Sequence, residues 1–276
     1  MRIDAHHHYW KIDRGDYEWI TPDLSVLYRN FLPPDFEPLL SKHNLDGSII
    51  VQAAPTIEET EFILKIAEHS PSVLGVIGWV NLFDPDHRKH FERFRLNPKF
   101  KGIRVMIQDM YNTTDVLNPV FLDALSSYAA EDIPVDLLLV SNQLETVLKL
   151  LQQVSGLRGV IDHIAKPQIK DGKLEPWKQY MSEISKFPGI YCKLSGMVTE
   201  ANHNKWVKED FVPYIQTVVE LFGPKRVIFG SDWPVCLLAA EYSEVMDILV
   251  NSLPQCWGAN EFNQLFGANA EEFYKL

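Results

Sequence analysis

Eight short apolar runs, each followed by a longer amphipathic stretch, constrain this chain more than any other feature of its sequence. In order they read RIDAHHH (2–8), GSIIVQA (47–53), VLGVIGWV (73–80), GIRVMI (102–107), IPVDLLLV (133–140), LRGVIDHI (157–164), IYCKLSG (190–196) and RVIFGSD (226–232). Several are hydrophobic almost throughout, as strands of a parallel sheet are when both faces are covered. The gaps between them are long enough for right-handed helical crossovers. Eight alternating β and α units predict a closed (β/α)8, or TIM, barrel. The chain has 276 residues, close to the roughly 250 that one such barrel takes, so residues 1–276 are expected to form a single domain.

Helical signals fill the gaps. TIEETEFILKIAEH opens with a Thr/Glu capping pattern, DPDHRKHFERF with an Asp cap and NPVFLDALSSYAAE with Asn-Pro, each a helix start. Two stretches lack periodicity: residues 9–34, rich in aromatics, Asp and Pro, after the first run, and SGMVTEANHNKW after the seventh. In a barrel both fall where active-site loops lie. NEFNQLFGANAEEFYKL, at the end, reads as a terminal helix pair or capping segment.

Composition narrows the partners. A formal net charge of −11 would repel a phosphate backbone, and no basic stripe offsets it, so no nucleic-acid partner is expected. No apolar run approaches the roughly 20 residues of a membrane span. Asp4 and the histidines stand where a secretory signal would have its apolar core. Cys192, Cys236 and Cys256 follow no disulfide or CxxC pattern. The expectation is a cytoplasmic protein with a small-molecule ligand, with assembly into a homo-oligomer left open.

Candidate chemistry gathers at the ends of the apolar runs. Strand alternation puts His6 and His8 on one face with Asp4, and His7 on the opposite face with Ile3 and Ala5. Two imidazoles so spaced can converge on a cation, or can simply hydrogen-bond to loops. His163 ends the sixth run, Lys193 and Ser195 the seventh and Asp232 the eighth, while Arg104 lies in the fourth and Lys166 just beyond the sixth. Barrel closure sets the eighth strand about 4.8 Å from the first and so brings Asp232 to His6 and His8. Trp10 follows directly on the histidines and is counted with the candidate substrate contacts. His43, His69, His87, His90 and His203 lie in helical or loop segments and are read as surface residues.

IDAHHHYW, VIDHIAKP, YCKLSG and FGSDWPV, in this order, resemble the amidohydrolase-2 family of the amidohydrolase superfamily, in its lactonase-like group of fuconolactonase and pyrone-dicarboxylate lactonase type. The resemblance runs nearly end to end. It implies a TIM barrel that hydrolyses a lactone, with His6, His8, His163 and Asp232 at the catalytic centre. Many superfamily members bridge two metals with a carboxylated lysine on the fourth strand. Here that run carries Arg104, so a binuclear centre is not expected. What remains is one divalent ion, zinc before others, on His6, His8, His163 and Asp232, or a site that works without metal.

Ester hydrolysis needs a polarised carbonyl, a nucleophilic water and a proton acceptor. Asp232 serves as general base in both versions. Arg104, Lys193 and Lys166 are positioned to donate to the developing oxyanion or to the polar groups of the substrate. Three rivals reuse these residues: a metal-dependent decarboxylase of the same superfamily, a Schiff-base aldolase built on Lys193, and a non-catalytic carbohydrate-binding barrel.

Overall fold

Each of the eight apolar runs forms a strand in the computed structural model, which describes residues 1–276. The strands are β1 (Ile3–His7), β2 (Gly47–Val51), β3 (Val73–Gly78), β4 (Phe100–Met106), β5 (Val135–Leu138), β6 (Gly159–Ile161), β7 (Ile190–Leu194) and β8 (Val227–Phe229). Between and after them run α1 (Pro33–Lys42), α2 (Ile57–His69), α3 (His87–Phe94), α4 (Pro119–Ala130), α5 (Leu144–Gln153), α6 (Trp177–Ile184), α7 (Val212–Phe222) and α8 (Tyr242–Ser252). Two short helices, α9 (Ala259–Asn263) and α10 (Asn269–Tyr274), end the chain. Neighbouring strands are parallel and lie in sequence order from β1 to β8. The ring is completed where His8 N–H donates to the Trp233 carbonyl and Asp232 N–H to the His6 carbonyl, both at 2.8 Å. The architecture is a (β/α)8 barrel.

Helix starts follow local chemistry. Thr56 Oγ1 accepts the Glu59 N–H at 3.0 Å at the head of α2, and Asn118 Oδ1 accepts that of Val120 at 2.9 Å at the head of α4. α3 differs from expectation: Asp86 occupies the N-cap but makes no capping bond. Its own N–H is instead taken by Asp84 Oδ1 at 2.8 Å, which turns the chain before the helix begins.

The core has two layers. Ile3, Ala5, Ile49, Val51, Ile77, Val160 and Ile228 fill the barrel with Phe273 and Tyr274 of α10. A larger shell, which includes Ile50, Ile103 and Leu137, packs between strands and helices. Each fully buried side chain of this kind contributes roughly 1.5–3 kcal/mol. No helix is long and apolar enough to cross a membrane.

Strict alternation fails in β1. Asp4 pairs with Ser48 but His7 with Ile50, three residues against two, and the register shift lies between them. Such a bulge puts successive residues on one side. Ala5 and His6 therefore both face inward, while Asp4 faces out and accepts bonds from Tyr242 Oη at 2.9 Å and Ser231 N–H at 3.0 Å. This corrects the expectation that Asp4 shares a face with His6 and that Ile3 and Ala5 share one with His7. His7 faces outward as expected and stacks on Phe36 with ring centroids 4.3 Å apart.

Candidate active site

The site is assembled by backbone irregularities at strand ends. The β1 bulge turns His6 inward, and Gly230 makes room for it, because a Cβ there would stand 2.5 Å from His6 Cβ. After β6 the residues from His163 to Lys166 all adopt positive φ, between 47° and 59°. Left-handed residues of this kind cost roughly 1–2 kcal/mol each, and such strain persists only where surroundings enforce it. Here Lys166 N–H donates to the His163 carbonyl at 2.8 Å, and Trp177 Nε1 donates to that of Ile164 at 2.7 Å. Gly196, itself at φ 58°, lies against the His163 ring, where a Cβ would be 2.4 Å from Nδ1.

These features converge on one carboxylate oxygen. Asp232 Oδ1 lies 3.3 Å from His8 Nε2, 3.7 Å from His6 Nε2 and 3.8 Å from His163 Nε2. His8 Nδ1 donates to the Val51 carbonyl at 2.7 Å, which turns Nε2 toward Asp232. His163 Nδ1 meets Ser195 Oγ at 2.9 Å. Burial pushes the pKa of His6 and of His163 well below the usual imidazole value, so both rings are neutral. Burial also opposes charge on Asp232, but its polar and cationic surroundings, Lys166 among them, outweigh it and hold the carboxyl below its usual value.

His6, His8 and Asp232 each bring a ligand atom within 4.8 Å of the others, a set that fits a divalent cation. Zinc bonds of about 2.0–2.1 Å at tetrahedral angles separate ligand atoms by about 3.4 Å, close to the 3.3 Å and 3.7 Å from Asp232 Oδ1 to His8 and His6. His6 Nε2 is moreover buried without a hydrogen-bond partner. A second trio, His6, Asp162 and His163, also brings its ligand atoms within 4.8 Å of one another.

Above this cluster opens a cavity of about 640 Å³ lined by His8, His163, Asp232, Arg104 and Lys166. Two candidates lie elsewhere. Lys193 is fully buried beneath the histidines, held by Asp136, by His6 Nδ1 at 3.1 Å and by Asp162 at 3.2 Å. Trp10 is fully buried, with its indole N–H donated to the Arg29 carbonyl at 2.9 Å and to the Leu27 carbonyl at 3.3 Å. Neither lines the cavity, because the Lys193 side chain turns into the barrel floor and the Trp10 indole into the core of the loop after β1.

The tryptophan that does line the cavity is Trp19, joined by Asp16 and Glu18 from the loop after β1 and by Gln108 and Asp109 after β4. Trp10 backs Trp19 edge-on at 5.6 Å. The irregular stretch 9–34 marks this loop in the sequence, but nothing local distinguishes residue 19 from residue 10. Asp136 and Asp162, both buried in the barrel, also went unselected, since each sits in an ordinary strand run.

A (β/α)8 barrel with three imidazoles and a carboxylate at the C-terminal ends of its strands defines a class of hydrolytic barrel enzymes. The chain belongs to the amidohydrolase family, whose model matches residues 3–276. It is 37% identical over 280 residues to an L-fucono-1,5-lactonase of Burkholderia ambifaria, covering all of this chain and 96% of the relative. It is 25% identical over 238 residues to an L-rhamnono-gamma-lactonase of Scheffersomyces stipitis, covering 79% of this chain and 70% of the relative. A crystal structure of an amidohydrolase from Burkholderia multivorans with bound zinc superposes with a TM-score of 0.94 at 34% identity, over 100% of this chain and 99% of that one.

Proposed function

We propose that this protein hydrolyses the lactone of a sugar acid, with Asp232 as general base. The observation that carries the reading is the convergence of three histidine Nε2 atoms on Asp232 Oδ1 at the floor of an open cavity. Two relatives named as sugar lactonases support the substrate class.

Asp232, ionised and oriented by His8, accepts a proton from the attacking water. Arg104 and Lys166 face the cavity and donate to the carbonyl oxygen as negative charge develops, and to ring hydroxyls. Asp232 then returns the proton to the departing ring alkoxide, so no second acid is required. His6, His8 and His163, with Asp232, are the residues that would hold a divalent ion, zinc by the geometry of the set. When bound, it would polarise the carbonyl and acidify water. The three free cysteines suit a reducing compartment, and we assign the protein to the cytoplasm.

A pH-indicator screen of aldonolactones, carboxylated lactones and simple apolar lactones, run with chelator and with added zinc, tests the reading. Turnover is expected on the polyhydroxylated lactones and little on the apolar ones. Silence across the panel, or CO₂ release from an aromatic carboxylate, would overturn it.

A further inference from the structure

Beneath the histidines lies a buried polar network that the proposed chemistry does not use. Lys193 Nζ touches Asp136 Oδ2 and stands 3.2 Å from Asp162 Oδ1 and 3.1 Å from His6 Nδ1. Tyr274 Oη donates to Asp136 Oδ1 at 2.8 Å, and Arg104 reaches Asp162 Oδ2 at 3.7 Å. Lys193, Asp136 and Asp162 are wholly buried and Arg104 nearly so. Three atoms that can accept a hydrogen bond, Asp136 Oδ2, Asp162 Oδ1 and His6 Nδ1, thus surround Lys193 Nζ, one for each hydrogen of an ammonium.

An ammonium has hydrogens to give and no lone pair to offer. His6 Nδ1 must therefore accept from Lys193, and the hydrogen of the neutral ring falls on Nε2. His8 is wired the opposite way, with a carbonyl behind Nδ1, the usual second partner of a metal-bound imidazole. Behind His163 Nδ1 stands the Ser195 hydroxyl, which can accept or donate, whereas an ammonium behind His6 can only donate. For Nε2 of His6 to ligate a cation the ring must take the other tautomer, with Nδ1–H turned to an acceptor. Asp162 Oδ1, 3.4 Å from Nδ1, is the one at hand, and it also faces Lys193 Nζ at 3.2 Å.

We propose that Lys193 is a positioning residue that selects the Nε2–H tautomer of His6, so that His6 presents a hydrogen-bond donor toward Asp232 and the cavity and the affinity of the site for a divalent cation is held down. The inference concerns the same site as the proposed reaction, but its readouts need no substrate, so the two can fail separately.

Long-range ¹⁵N–¹H spectra of the metal-free wild-type protein, with His6 assigned by loss of its signals in His6→Asn, test the tautomer directly. Pyridine-type Nδ1 and pyrrole-type Nε2 are expected for His6, with the reverse for His8. Lys193→Met should reverse the His6 pattern and tighten zinc binding at least ten-fold, measured by chelator competition. A pyrrole-type Nδ1 in wild-type His6 would overturn the proposal, as would unchanged or weaker zinc binding in a variant with native circular dichroism. If Lys193→Met does not fold, Lys193→Gln combined with Asp136→Asn removes both charges of the pair and faces the same zinc criterion, while the wild-type spectrum decides the tautomer unaided.

Discussion

Asp232 and His7 show how differently two buried polar residues of one strand junction can behave. Replacing Asp232 by Asn keeps the size of the side chain but removes the proton acceptor. General-base assistance is worth about 10² to 10⁴, so kcat on a sugar lactone should fall about a thousand-fold with the circular dichroism unchanged. A folded Asp232→Asn enzyme that keeps a tenth of its turnover would shift the base to another residue, with His163 next in line. His7 has no such role. Its ring stacks on Phe36 and both its nitrogens lack partners, so His7→Ala should cost about 2–5 kcal/mol in urea unfolding, as for other large buried side chains. Turnover of the folded His7→Ala protein should stay within a few-fold of wild type, whereas His8→Ala should abolish it. Equal losses in the two would contradict the inward and outward facing of the pair.

At the scale of elements, the loop between β1 and α1 carries much of the cavity wall and is latched to α2. Tyr17 Oη donates to Glu59 Oε2 at 2.6 Å and Ala53 N–H to Glu59 Oε1 at 3.1 Å, while Trp19 Nε1 donates to the Ala53 carbonyl at 2.9 Å. Arg14 stands 3.9 Å from Glu59 and pairs with Asp16. Burial pushes the Glu59 pKa up to about 7, against the counter-effects of Tyr17, Ala53 and Arg14. A carboxyl whose folded pKa is raised binds its proton more tightly in the native state. Its contribution therefore favours folding at low pH and is lost as pH rises from the unfolded value, about 4.3, toward the folded one. Relative to Glu59→Gln, the wild type should lose stability between pH 5 and 7 at up to about 1.4 kcal/mol per pH unit. Parallel stability curves for the two proteins across that window would refute the assignment.

The whole molecule is a barrel stoppered by its own C-terminus. Phe273 and Tyr274 of α10 are fully buried among the inward side chains of β1, β2, β3, β6 and β8, and Met1 is tied to Glu271 at 2.8 Å by its amino group. Phe273→Ala should therefore destabilise the entire fold, by about 3–5 kcal/mol, although the residue lies at the opposite end of the barrel from the cavity. Denaturant melts followed by tryptophan fluorescence and by circular dichroism should shift together, as expected for one cooperative unit. Fraying of α10 alone, with the strands unaffected, would show that the stopper is dispensable.

Eight strands, their order and the starts of α2 and α4 were legible in the sequence, because hydrophobic period and capping chemistry are local properties of the chain. His6, His8, His163 and Asp232 were legible for a related reason: each ends an apolar run, and barrel closure brings such ends together. Direction was not legible where the backbone departs from regularity. The β1 bulge separates Asp4 from His6, and only the mismatch of three residues against two in its pairing with β2 reveals it. Lys193 and Trp10 stand near site residues in the sequence yet point into the barrel floor and the loop core, while Trp19, outside every site motif, faces the cavity. The chain by itself determined which residues could meet. The tertiary structure decided which atoms do, since a carboxylate, an ammonium and three imidazoles from four different strand ends acquire partners only when the ring closes and packing fixes their rotamers.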